Sequence, residues 1–273
     1  MLATTMVDAE ITPEFASAAA TKIVLIVEYD GTRYYGFQLQ ASLPTIQLEL
    51  EKAIEKLTGE RLRVMAASRT DTGVHAKGQV VSFRTDSGYS PETFVRALNY
   101  YLPRDIVVKA AHRVDNSFNV RRQAVSREYN YYILNSPTRS PLREGFYYLV
   151  PAPLDSAAMN QACQALIGEH DFSSFISSND VESRTRLRRV YRAEVRKDGE
   201  EVVFNMVASS FLTHQVRNTV GTLIRVGLGK MSSDGFCDIL EAEKPGLAWP
   251  TAPARGLCLM QVNHQNYFES GTC

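Results

Sequence analysis

Residues 61–83, RLRVMAASRTDTGVHAKGQVVSF, set two strand-like runs, RLRVMAA and GQVVSF, on either side of a polar loop. The runs are β-branched and apolar, continuous or alternating, and too short for typical helices. Upstream, Pro44 and Thr45 open a helix, TIQLELEKAIEKLTG, with Ile46, Leu50, Ala53, Ile54 and Leu57 on one face and Gly59 to end it. Before that helix, residues 22–29, KIVLIVEY, read as a buried strand. Downstream, Ser90 and Pro91 open a second helix, SPETFVRALNYYL, whose core face is Phe94, Val95 and Leu98, and DIVVKAAHRV follows as a strand. The order is strand, helix, strand, strand, helix, strand. That is a split βαβ unit, the ferredoxin-like arrangement that RNA-recognition modules also use.

The rest of the chain repeats the order. EYNYYILN is a strand; PLDSAAMNQACQALIGEHD is a helix whose LIGE echoes the LTGE that ends the first; RRVYRAEVRKDGEEVVFNMVAS is a hairpin turning at Asp198 and Gly199. THQVRNTVGTLIRVGLGK is a helix with Val216, Val220, Leu223 and Ile224 inward, SDGFCDILEAE another, and GLCLMQVN a last strand. The expectation is an α+β protein: two tandem ferredoxin-like halves forming one large, mainly antiparallel sheet with helices on one face. Residues 1–20 read as a flexible tail, 21–125 as the first half and 126–268 as the second.

At 273 residues, 44% hydrophobic and 22% charged, the composition is that of an ordinary soluble globular chain. Formal net charge is zero, but the first 60 residues hold only Lys22, Arg33, Lys52 and Lys56 against nine carboxylates. A polyanion would therefore meet the later part. Cys163, Cys237, Cys258 and Cys273 are scattered without a CxxC pair, and the five histidines lack ligand spacing. Free thiols in a reducing cytosol follow, with neither disulfide framework nor metal site. No apolar run approaches the roughly 20 residues of a membrane span. The first twenty residues carry Asp8, Glu10 and Glu14 but no Lys or Arg, unlike a signal peptide.

The loop in 68–77 holds one carboxylate, Asp71, between Thr70 and Thr72, behind Arg69 and before Gly73. An Asp beside an Arg stays ionised, which suits a nucleophile better than a general acid. Two other readings stand: a turn residue capping its own backbone, and the Asp-Thr-Gly of aspartic peptidases, which need a second such aspartate. Three further stretches could join Asp71. In NVRRQAVSREYNYY, alternation puts Tyr129 and Tyr131 on one strand face and Glu128, Asn130 and Tyr132 on the other; Tyr129 is either a half-buried strand aromatic or a base-stacking platform. Arg184, Arg186, Arg188, Arg189 and Arg192 crowd into nine residues, as a solvated loop or as phosphate ligands. In FLTHQVRNTVG, His214, Arg217 and Gly221 share a helix face, where Arg217 is either a surface charge or the partner of a buried acid.

Taken together, RTDTGVHAKGQVVSF, the REYNY strand, FLTHQVRNTVG and the closing APARGLCL resemble the tRNA pseudouridine synthase A family in order, spacing and type, as do YDGTRYYGFQLQ and TIQLELEKAI near the start. The likeness covers roughly residues 22–264. It implies an isomerase that turns uridine into pseudouridine in the anticodon arm of tRNA, at positions around 38 to 40, without cofactor or metal, as a cytoplasmic homodimer with tRNA crossing between subunits. It implies Asp71 as the nucleophile, attacking either the ribose C1′ or the base C6. Tyr129 then packs against the target base, Arg217 pairs with the aspartate, and Arg69 is suited to filling the space left by the extracted base. Physics asks for the same parts: a uridine in a stem must be flipped to reach a loop carboxylate, at a cost of a few kcal/mol. Stacking by Tyr129 and phosphate contacts from Arg184, Arg186, Arg188 and Arg189 would offset it. A catalytically silent RNA-binding module of the same fold is the alternative.

Overall fold

The computed structural model describes residues 20–177 and 185–265. β1 (Thr21–Tyr29) leads through a loop to α1 (Ile46–Thr58), then come β2 (Met65–Ala66), β3 (His75–Thr85), α2 (Pro91–Tyr101) and β4 (Ile106–Val114). β5 (Ala124–Leu134), β6 (Tyr148–Leu149), α3 (Ser156–Cys163), β7 (Gly168–Asp171), β8 (Leu187–Asp198) and β9 (Glu201–Ala208) follow, then α4 (Gln215–Gly227), α5 (Ser233–Glu241) and β10 (Leu257–His264). The helix starts are capped as their sequences require: Thr45 accepts from the Leu48 amide and Ser90 from that of Thr93, while Gly59 closes α1 in the left-handed region, φ 75°.

All ten strands join one mixed, mostly antiparallel sheet, in the order β4-β1-β3-β10-β5-β9-β8-β7, with β2 on β3 and β6 on β5. Two interleaved orders account for it. β1, β2, β3 and β4 stand as β4-β1-β3-β2, and β5, β8, β9 and β10 as β10-β5-β9-β8; each is the ferredoxin-like order, with a helix in each crossover. α1 packs against α2, and α3 against α4 and α5. The inward residues named from periodicity are where the core is: Phe94 and Leu98 of α2, and Val216, Val220, Leu223 and Ile224 of α4, are buried. β5 alternates as expected, Tyr129 and Tyr131 buried and Glu128, Asn130 and Tyr132 half-buried.

The seam between the halves shapes the site. β3 lends one end to β2 (Met65↔Ser82, Ala66↔Val81) and the other to β10, in parallel (Cys258↔His75, Leu259↔Ala76). The loop at 67–74 therefore sits where two neighbours of one strand part company.

Three expectations need correction. RLRVMAA makes only a two-residue strand on β3, because the Val64 N–H donates to Glu51 Oε1 (3.0 Å) and its carbonyl accepts from Gln47 Nε2 (3.2 Å), so its backbone pairs with α1 side chains rather than with β3. The helix expected through LIGEHD stops at Cys163, passes through a 3₁₀ turn at Gln164–Leu166, and Gly168–Asp171 becomes an edge strand on β8. The hairpin turns at Gly199 and Glu200, since Asp198 still pairs with Glu201. The tail read at 1–20 lies, but for Ala20, outside the described residues. Among the described residues no helix is long and apolar enough to cross a membrane.

Candidate active site

Backbone contacts hold the 67–74 loop from one side. Phe37 N–H donates to the Thr70 carbonyl (3.0 Å), Gly73 N–H to that of Tyr34 (3.2 Å), and Val74 N–H closes the turn on the Asp71 carbonyl (3.1 Å). Gly36 makes this approach possible: its φ is 83°, and a Cβ there would stand 2.8 Å from the Thr70 carbonyl oxygen. Below the loop, Gln79 receives the Ser68 N–H at 3.3 Å and donates to the Ser68 carbonyl at 2.7 Å, while the Tyr29 hydroxyl meets Thr70 Oγ1 at 2.8 Å. Asp71 is thus carried on a fixed loop, with its side chain about one-third exposed.

Against this carboxylate stands the start of α4. Arg217 Nη1 donates to Asp71 Oδ2 at 3.1 Å, and His214 Nε2 lies 3.4 Å from the same oxygen. The shared face expected of His214 and Arg217 is realised differently: His214 precedes the helix as a left-handed residue, φ 60°, which turns its ring back toward Asp71. Arg217 is aimed by a separate segment, for its Nε donates to the Ala252 carbonyl (2.8 Å) while the Ala252 N–H returns to the Arg217 carbonyl (3.1 Å). Gly221 lets that segment close in, since a Cβ would fall 1.6 Å from the Pro250 carbonyl oxygen.

Tyr129 forms the wall opposite. Its ring meets Phe211 edge-on at 5.1 Å, and its hydroxyl hydrogen-bonds with Ser68 Oγ at 3.0 Å. Burial pushes the phenol up to about 12. It is therefore a neutral group at any working pH, able to donate or accept one hydrogen bond. Tyr129→Phe keeps the ring and removes the hydroxyl; a reaction in this cavity should slow by about 10²-fold where the hydroxyl assists proton movement, with ligand affinity falling less. Equal losses in kcat and in affinity would reduce Tyr129 to a platform.

Asp71, Tyr129, Arg217 and Arg69 all line one cavity of about 710 Å³. Asp71 is the one carboxylate among its lining residues, against Arg69, Arg121, Arg127, Arg217 and His214. A peptidase dyad is thereby left without its second acid. Among the described residues no group of His, Cys, Asp or Glu is arranged to hold a metal ion. Arg69 is exposed at the rim.

The arginine cluster lies elsewhere. Arg186 Nη1 donates to Ser173 Oγ (3.2 Å), Arg188 to the carbonyls of Thr185 (2.9 Å) and Leu187 (2.7 Å), and Arg189 pairs with Glu169 at 3.5 Å. None of these three lines the cavity. Arg184 lies outside the described residues.

Two arginines of the NVRRQAVSREYNYY stretch, Arg121 and Arg127, to which the sequence assigns no role, stand in the site instead. Arg127 is buried, and its guanidinium donates to four backbone carbonyls: Ala67 (3.3 Å), Arg121 (3.0 Å), Ala124 (3.2 Å) and Ser209 (2.6 Å). Ala67 begins the Asp71 loop, and Ser209 begins the segment leading to Arg217. One side chain thus ties together the two arms that carry the acid and its partner. Arg121 donates its Nε to the Ala66 carbonyl at 2.9 Å and is otherwise exposed. The sequence signal for both was the basic run just before Tyr129.

Comparison with known proteins adds the lineage. The sequence model of a family described as tRNA pseudouridine synthase matches residues 25–121 and 162–265. A protein of Francisella tularensis subsp. novicida named tRNA pseudouridine synthase A is 43% identical over 244 residues, which is 89% of this chain and 94% of that one. One of the same name from an Exiguobacterium species is also 43% identical, over 89% of this chain and 98% of its own.

Proposed function

Because the chain belongs to the tRNA pseudouridine synthase A family, we propose that it isomerises uridine to pseudouridine in the anticodon arm of tRNA, at positions 38, 39 and 40, with Asp71 as the nucleophile. The observation that carries the reading is the single carboxylate of the 710 Å³ cavity, held between Arg217 and His214 and facing the wall built by Tyr129. The reaction breaks the bond from N1 to C1′ and makes one from C5 to C1′; the C5 hydrogen leaves as a proton and N1 gains one. No electrons are exchanged with a partner and no group is imported. A fixed carboxylate, attacking C1′ or C6, can hold one fragment while the base turns.

The other residues divide the remaining work. Tyr129 packs against the flipped base, as its buried ring and polar tip suit it to do. Arg217 keeps Asp71 oriented, and Arg69 follows the base out of the stem and fills its place. Flipping costs a few kcal/mol, which stacking and phosphate contacts offset. The phosphate contacts are assigned to Arg184, Arg186, Arg188 and Arg189, of which Arg189 also pairs with Glu169. The proposal extends to a division near residue 125, the first half carrying Asp71 and the second Tyr129 and Arg217. It extends also to a cytoplasmic homodimer, whose mass sedimentation measures.

Tritium release from unmodified tRNA labelled at uridine C5 tests the reaction, since joining C5 to C1′ expels the C5 hydrogen as a proton. Mapping the product by uridine position tests the anticodon assignment. Tight tRNA binding without release would instead indicate the silent binding module. Arg217→Ala should lower kcat by about 10²-fold or more, the scale on which misplacement of a reacting group acts, with tRNA affinity much less affected. Unchanged turnover would dissolve the pairing with Asp71.

A further inference from the structure

Beside the Asp71 cavity lies a second recess of about 220 Å³. The two share three lining residues, Gln38, Arg69 and Arg121, which stand at their junction. Further in, the recess is walled by buried Phe37, Val64 and Ala66 and by exposed Met65. We infer that the junction is a phosphodiester subsite, in which Arg121, with Gln38 and Arg69 beside it, holds the RNA backbone phosphate next to the flipped uridine while the recess receives the adjoining nucleotide. The inference rests on the proposed reaction and adds a substrate contact to it.

The geometry of Arg121 supports the assignment. Its Nε is fixed on the Ala66 carbonyl, and its terminal nitrogens have no hydrogen-bonding partner among the described residues. A guanidinium held at one edge presents the other as a fork, the shape that receives two oxygens of a phosphate. No carboxylate among the described residues pairs with Arg121 or Arg69, whereas Arg63, which also lines the recess, is already balanced by Glu51 at 3.0 Å. Two unpaired cations side by side repel each other, and an anion between them removes that cost. Burial first, and the charge of Arg69 second, hold the Arg121 guanidinium below its ordinary pKa. Gln38 is exposed and can donate its amide to the same oxygens. Arg69 has no such anchor and is free to leave for the stem. Arg121 is the fixed ligand.

Salt dependence reads such a contact directly. Each phosphate neutralised by a cation contributes about 0.7–0.9 to the slope of log affinity against log salt. In tRNA binding, Arg121→Gln should lower the slope by that amount, and Arg63→Gln should leave it unchanged. A second measurement localises the contact: anticodon-arm RNAs with one methylphosphonate, on the 5′ or the 3′ side of the target uridine. One neutral linkage should weaken binding to the wild type about threefold or more at moderate salt, the share of a single contact, and should cost Arg121→Gln nothing further. A slope unchanged in Arg121→Gln, or the same linkage penalty in both proteins, would overturn the subsite. Both readouts are binding measurements; tritium release by the wild type tests the reaction itself, so the two failures are distinct.

Discussion

Asp71→Asn is expected to bind unmodified tRNA and release no tritium from it. The amide matches the carboxylate in size, and the loop that carries it is held by backbone contacts of Phe37, Gly73 and Val74 that the substitution leaves alone. What disappears is the charge and the nucleophilic oxygen. Loss of an enzymic nucleophile costs about four orders of magnitude or more in kcat. The cavity then holds Arg69, Arg121, Arg127 and Arg217 with no carboxylate to offset them, so affinity for a polyanion should hold or rise. Release within about tenfold of wild type would remove Asp71 from the chemistry. Loss of tRNA binding would show instead that the carboxylate shapes the cavity.

Arg127→Met is expected to be the most destabilising single substitution near the site. Methionine fills part of the volume but leaves the carbonyls of Ala67, Arg121, Ala124 and Ser209 without their donor. An unsatisfied buried acceptor costs about 1–3 kcal/mol, less where the backbone relaxes or water enters, so a total of about 3–5 kcal/mol is a fair sum. For a chain of this size that is a fall in Tm of about 10 °C, which thermal unfolding measures. Arg127→Lys, able to serve some of the four carbonyls, should lie between. A Tm within about 2 °C of wild type would mean that these carbonyls find other donors and that Arg127 ties nothing together.

Much of the architecture was legible because its signals are local. Thr45, Ser90 and Gly59 mark helix ends through hydrogen bonds and dihedral angles spanning three or four residues, and the strand alternation around Tyr129 needs only period two. The errors arose where another segment decides. RLRVMAA has the composition of a strand, but the Val64 backbone is held by Gln47 and Glu51 of α1, 17 and 13 residues earlier, and only Met65 and Ala66 pair with β3. Arg127 looked like one more basic residue, since its four acceptors include two lying 60 and 82 residues away. The run from Arg184 to Arg192 is conspicuous in sequence, but the pairing of Arg189 with Glu169 and of Arg192 with Glu128 is not readable there. Asp71 and Arg217 were each found by type and neighbourhood. Their contact across 146 residues was implied by the family resemblance and by no local pattern.

The position of β10 also governs when the enzyme can exist at all. It is the last of the described strands in chain order, and it is the one that lies between β3 and β5. Until it emerges, β3 keeps a bare edge at His75 and Ala76, directly beside the loop bearing Asp71, and β5 keeps one along Tyr129. An unpaired strand edge invites pairing with other chains, and contacts between ends so far apart in sequence form slowly. Asp71 and Tyr129, the proposed nucleophile and stacking platform, are therefore synthesised before the segment that covers the strands beside them. Activity and protection from aggregation arrive in the same folding event.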